Sequence, residues 1–294
     1  MLQGGGVLKK ATIVAAIMAG ITSASIHAES LKVAGKPDDK KLHLTLIQEV
    51  VKRSNRFDSI EFIYAKTGEP AGSRIMADLE NGKLDIMWTA TSTDMEQRFT
   101  PIYFPIYRGM LGMRIGLIHE KDHQLLATVR NKADLQKYTV CSGKTWPDTF
   151  IIDANDIKTA KSLKYPNIFE MMLAGNRCHF FARGVMEPFA EVESQPELPL
   201  AVDSHLMLRY RMPYMLFVQK GNEELQEHIF TIIDEIFADG TYEQMFFADR
   251  EVKMALSLAK LEQRTIIDLE NPYLTEETKS MPQEYFFDPL AKRD

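Results

Sequence analysis

Apolar positions along this chain alternate between two periods. Leu31-Lys32-Val33-Ala34 reads as a short strand; after the turn Lys36-Pro37-Asp38-Asp39, Leu42, Leu46, Ile47, Val50 and Val51 recur at helical spacing. A strand over 60–64, a helix over about 72–80 that stops at Asn81-Gly82, and an apolar strand over 84–88 continue the pattern. The order βαβαβ predicts a parallel sheet covered by helices on both faces, which is an α/β fold.

Two longer extended apolar runs, 109–118 and 213–218, look like crossings between two lobes. Two crossings predict a discontinuous first lobe, 29–118 plus 213–294, and a continuous second lobe, 119–212. Within the second lobe the scheme repeats: a strand over 138–141, a loop Ser142-Gly143-Lys144-Thr145-Trp146, a helix over 168–174 and a strand over 177–181. Beyond the second crossing Leu225, Ile229, Ile232, Ile233, Ile236 and Phe237 mark an amphipathic helix, which Asp239-Gly240 ends. From Lys253 the periodicity weakens, and the tail is expected to lie on the first lobe.

Residues 1–28 have the layout of a secretory signal peptide: Lys9-Lys10, an apolar run over 11–21, then small and polar residues with cleavage expected near Ala28. The apolar run is too short for the roughly 20 residues of a spanning helix. Export to the periplasm follows. The formal charge of −6 becomes more negative once the two leader lysines are lost, which argues against nucleic acid or an anionic membrane as partner. Cys141 and Cys178 are the only cysteines. An oxidising compartment permits a disulfide, but buried free thiols are the default expectation, since an unpaired Cys usually behaves as a small core residue.

The stretch from Ala77 to Ile118 carries the clearest chemical signal. An apolar strand runs into Thr89-Ala90-Thr91-Ser92-Thr93 and then Arg98, so clustered hydroxyls and one guanidinium sit at a strand end, where α/β sheets hold small anions. Gly82-Lys83-Leu84-Asp85, Thr91 and Thr93, Glu96-Gln97-Arg98 and the repeated Pro-Ile-Tyr at 101–103 and 105–107 resemble the family 3 solute-binding proteins of amino-acid importers, which are type II periplasmic binding proteins. The resemblance implies a two-lobed fold, each lobe a mostly parallel sheet flanked by helices, closing by hinge motion on a small solute and delivering it to a membrane ABC importer. It implies no cofactor, no metal, no catalytic residue and a monomer. Trp146 to Thr149, Arg183-Gly184-Val185-Met186-Glu187 and Asn271-Pro272-Tyr273-Leu274 resemble a branch of the same superfamily that lends a fold and little about the ligand.

The resemblance places Thr91, Thr93 and Arg98 on one wall of the cleft and Ser142, Thr145 and Arg183 on the other. Arg98 would grip a carboxylate with two parallel bonds, or else pair with Asp94 one helical turn earlier. Thr91 and Thr93 would also serve as helix caps. Ser142 to Thr145 falls short of a nucleotide phosphate loop, because the first glycine would have to stand at Tyr138; a helix N-terminus suits a carboxylate equally well. Trp88 and Trp146 at strand ends would either sandwich a ligand or pack in the core. Amino-acid binders keep a carboxylate for the ligand ammonium near Arg183-Gly184, so a cation there implies an amine-free anion, unless Arg183 pairs with Glu187.

Two rivals remain at this stage. One is a sensor or adaptor with a repurposed cleft, reporting to a membrane-bound receptor. The other is an enzyme similar to the periplasmic cyclohexadienyl dehydratases, with His179 or Asp148 as general acid. HExxH, GxSxG and metal-ligand clusters are missing from the sequence.

Overall fold

The computed structural model describes residues 29–68 and 70–291, together with residues 1 and 4. The expected signal peptide lies outside the described residues. In chain order the strands are β1 (Glu29–Val33), β2 (Phe57–Phe62), β3 (Met87–Ala90), β4 (Phe99–Ile102), β5 (Met113–His119), β6 (Thr139–Gly143), β7 (Lys158–Ser162), β8 (Phe180–Gly184), β9 (Leu200–Val202), β10 (Leu206–Arg209), β11 (Tyr214–Gln219) and β12 (Thr265–Asp268).

In the first lobe β1 and β2 pair in parallel, with Leu31 opposite Ile60, and Ile86 bridges to Val33 in parallel. The first two strands thus pair in parallel as the βαβαβ order predicts, while the third adds only this bridge and β3 itself pairs with β11. The helix Leu42–Arg53 buries Leu42, Leu46, Ile47, Val50 and Val51 against it. β11 returns between β3 and β4, antiparallel to both, and extends this lobe. The helix Glu223–Ala238 adds Leu225, Ile229, Ile233 and Ile236 to the same core.

The second lobe is built on one larger mixed sheet, ordered β12-β10-β5-β8-β6-β7, with β9 also pairing with β5. The run 109–118, expected as a crossing, divides here. Met113–His119 is an inner strand buried on both faces, and only Gly109–Gly112 crosses. A continuous apolar run is what a strand covered on both faces requires, so its signal resembled that of a buried connection. At the crossings two segments of the chain touch backbone to backbone: Tyr210 N–H donates to Gly112 O at 3.0 Å. A Cβ on Gly112 would stand 1.9 Å from Tyr210 O, so only glycine fits.

The tail departs from expectation too. Thr265–Asp268 pairs with β10 in the second-lobe sheet, Leu206 opposite Thr265. Residues further on return to the first lobe, where Met281 and Tyr285 are buried in its cores. The chain consequently passes between the lobes a third time, over 269–273.

Cys141 and Cys178 form a disulfide, which corrects the expectation of free thiols. Cys141 faces Phe181 across the β6–β8 ladder, while Cys178 precedes β8 and stands off it. Freed from strand geometry, its Cα comes within 5.3 Å of that of Cys141, inside the range a bridge needs.

A candidate ligand cleft between the lobes

Two cavities open between the lobes. The first, of about 450 Å³, has Thr91, Ser92, Thr93, Asp94 and Arg98 on one wall, Thr145, Pro147, Phe150 and Ile151 on the other, and Asn271 and Tyr273 of the third passage along its side. The second, of about 560 Å³, lies between Lys41, His43, Tyr107 and Glu251 of the first lobe and Arg183, Glu187 and Glu191 of the second.

β3 delivers the hydroxyl loop, and the helix Thr93–Arg98 follows at once. Ser92, not Thr91 or Thr93, caps that helix by accepting from Met95 N–H at 3.3 Å. Thr91 is buried and donates to Glu96 Oε1 at 2.6 Å. Thr93 turns to the tail instead: its N–H and its hydroxyl both donate to Tyr273 O, at 2.8 and 3.0 Å. Arg98 pairs with Glu80 at 2.7 Å rather than with Asp94, and both partners are exposed. Such a surface pair is worth about 0–1 kcal/mol, so an arriving carboxylate can displace Glu80 at little cost.

On the second lobe Pro147 opens the helix Pro147–Ala154, a position that tolerates its missing N–H, and Trp146 immediately precedes it. Thr145 is exposed and lines the first cavity. Ser142 is buried, with its oxygen 2.5 Å from the Thr149 hydroxyl, which itself donates to Gly143 O. The hydroxyl–hydroxyl bond must therefore be donated by Ser142, and that side chain serves the loop.

Trp88 packs against the His43 ring, centroids 4.5 Å apart, and Trp146 stacks on Phe181. Neither tryptophan lines either of these two cavities. Arg183 does line the second one, but its charge is already engaged by Glu187 and Glu191, both at 2.7 Å, and its guanidinium lies over the Phe181 ring. Burial lowers its pKa and the two carboxylates more than reverse that, so it stays charged. Thr91, Thr93, Arg98 and Thr145 are thus brought together around one cavity, Arg183 borders the other, and Trp88, Ser142 and Trp146 support the walls from behind.

Several cavity residues gave no signal in the sequence. Phe150 is carried to the cleft by the helix Pro147–Ala154, and Tyr273 by the third passage. His43 is buried in the second cavity's floor, where desolvation and then Lys41 pull its pKa down to about 3. Burial pushes the Glu251 carboxyl up to about 7, against the pull of Lys41.

Neither general-acid candidate lines either of these cavities. His179 is exposed just before β8, at the opposite end of the strand from Gly184, and its ring Nδ1 accepts from Thr139 N–H at 2.8 Å. Asp148 is buried in an ion pair with Arg114 at 2.9 Å. Among the described residues no group of three or more His, Cys, Asp or Glu is placed to hold a metal ion, and no helix is long and apolar enough to cross a membrane.

No family model and no curated protein matches the sequence. Solved structures do match in fold. An ancestral arginine-binding protein bound to arginine is 18% identical, with 75% of this chain and 98% of that one covered at a TM-score of 0.53. The GluR0 ligand-binding core in complex with L-glutamate is 15% identical, with 76% and 98% covered at 0.54. A probable amino-acid ABC transporter extracellular-binding protein from Bacillus subtilis is 16% identical, with 77% and 99% covered at 0.54. The fold of this chain is the two-lobed type II periplasmic binding fold.

Proposed function

We propose that the protein is an exported solute-binding protein that takes a small carboxylate-bearing solute between its lobes and presents it to a membrane ABC importer, acting as a monomer and without chemistry of its own. The observation that carries this reading is the first cavity, whose hydroxyls and single guanidinium come from one lobe and whose Thr145 comes from the other. A ligand held from both sides favours the closed arrangement, because its affinity draws on both walls. The amino-acid ligands and importers named for the structural neighbours agree in kind with this reading. With Glu187 and Glu191 neutralising Arg183, the attraction of the site for an anion rests on Arg98 alone.

A thermal-shift screen with amino acids, dicarboxylates, aromatic acids and short peptides tests the reading, since a ligand specific to the folded state raises its melting temperature. Arg98→Ala should abolish the shift given by the best ligand. An unchanged shift in Arg98→Ala would move the site elsewhere.

The tail favours a second reading in one respect. Tyr273 O occupies both donors of Thr93, which the family resemblance assigns to the ligand, as a repurposed cleft in a sensor or adaptor would. A screen with no hit at all would favour that role, with a membrane-bound receptor as partner.

A further inference from the structure

Only six large apolar side chains are exposed among the described residues, and two of them, Phe150 and Tyr273, stand together in the first cavity. Their rings are 6.5 Å apart and steeply inclined, at 73°. Exposed aromatic rings that converge inside a cleft mark a binding surface more strongly than single exposed residues do. Phe150 is carried by the second-lobe helix Pro147–Ala154. Tyr273 belongs to the third passage, and its backbone is fixed: Tyr273 O takes both Thr93 donors, Tyr273 N–H donates to Asn271 Oδ1 at 3.0 Å, and Asn271 Nδ2 donates to Arg211 O at 2.8 Å. The bonds that withdraw Thr93 from the ligand therefore hold an aromatic ring in its place.

The remaining apolar lining is Met76, Met95, Pro147 and Ile151, and Arg98 is the single cationic side chain lining this cavity. A dicarboxylate would leave one charge without a cation there. A strongly polar side chain would be desolvated against carbon, at a cost of a few kcal/mol for each unpaired group. A cavity of about 450 Å³ is within the range of small-molecule sites, which are mostly apolar with a few convergent polar groups.

Resting on the reading of the cleft as a solute site, we infer that the preferred ligand is a monocarboxylate bearing an aromatic side chain, its carboxylate at Arg98 and Thr145 and its ring against the pair Phe150 and Tyr273. Asp94 on the cavity wall would accept an ammonium, so the same arylalkyl carboxylate could come as an α-amino acid or as an amine-free acid.

The test is calorimetric titration of the protein with 3-phenylpropionate, L-phenylalanine, succinate and L-arginine. At least one of the two aromatic acids should bind tenfold or more tightly than succinate and L-arginine, and comparing the two decides whether the amine is recognised. Phe150→Ala and Tyr273→Ala should each weaken the aromatic ligand by tenfold or more, with Tyr273→Phe restoring it. Both rings are exposed, so folding is not at stake in these variants. Binding of succinate or L-arginine without either aromatic acid would overturn this inference and leave the solute-binding reading standing. Aromatic binding indifferent to both alanine variants would overturn the placement of the ring. Binding of none of the four, with no hit in the wider screen, would overturn both readings.

Discussion

The Thr278 hydroxyl donates to Glu96 Oε1 at 2.6 Å, joining the helix that follows the cleft loop to the tail across 182 positions of sequence. Thr91 donates to the same oxygen, and Thr275 and Tyr103 donate to Oε2 at 2.7 and 3.1 Å. One buried carboxylate thus gathers four hydroxyls from three parts of the chain, and the tail is fastened to the loop that shapes the cavity.

Glu96→Ala should accordingly loosen the tail as well as lower stability. Leaving buried hydroxyls without their acceptor costs about 1–3 kcal/mol each, although Thr275 and Tyr103 are only partly buried and can turn to water. A loss of about 2–4 kcal/mol in chemical denaturation is expected, together with faster hydrogen exchange over 273–281. Exchange confined to other segments would contradict the fastening role.

A buried charge pair joins β5 to the cavity helix Pro147–Ala154. Arg114 donates to Asp148 at 2.9 Å and to Ala182 O at 2.9 Å, with both side chains buried. Asp148→Ala would leave the guanidinium with Glu187, at 3.7 Å, as its ion-pair partner and Arg183 as a like charge nearby. Removing one partner of a buried pair costs about 3–5 kcal/mol, measurable as a drop in unfolding free energy. Replacing both residues together should cost less than Asp148→Ala alone.

The disulfide closes a loop with a sequence separation of 37. Loop-entropy scaling gives about 3–4 kcal/mol for such a closure. Treatment with a reductant, or Cys141→Ala with Cys178→Ala, should lower the melting temperature of the second lobe by a corresponding amount. An unchanged melting curve would show that the bridge adds nothing beyond the core packing around it.

Two groups in the second cavity set opposite pH dependences. For His43, ordinarily near 6.5 and pulled to about 3 by burial and Lys41, the unfolded chain binds the extra proton, so stability falls as pH drops below 6.5. For Glu251, raised from 4.5 to about 7 chiefly by burial, the folded chain binds the extra proton, and its contribution is lost as pH rises from 4.5 to 7. Between about 4.5 and 6.5 the two slopes, each at most about 1.4 kcal/mol per pH unit, oppose one another. Denaturation across pH should show His43→Gln exposing a decline with rising pH in that window, and Glu251→Gln exposing a rise.

The cleft loop was legible because it is local: a strand end, a run of hydroxyls and a helix start within ten residues place Thr91, Thr93 and Arg98 near one another whatever surrounds them. Partners were less legible. Arg98 has Asp94 four residues away, yet it pairs with Glu80 on the helix Gly72–Glu80, which packing brings to it. The Arg183–Glu187 pair is local and was foreseen as an alternative, whereas Glu191 joins it from the next helix. His179 falls within the expected strand 177–181, but β8 begins only at Phe180 and leaves it just outside the end remote from Gly184; strand limits are weakly written in sequence.

Periodicity and near-neighbour composition were enough for the α/β class, the opening strand–helix succession of the first lobe and the chemistry of the hydroxyl loop. Tertiary structure alone decided that Met113–His119 is a strand of the larger sheet, that the cysteines meet, and that the tail returns across the cleft to set Tyr273 beside Phe150. Each of these depends on contacts between residues far apart in the chain, where loop closure and burial choose among partners that local pattern leaves equivalent.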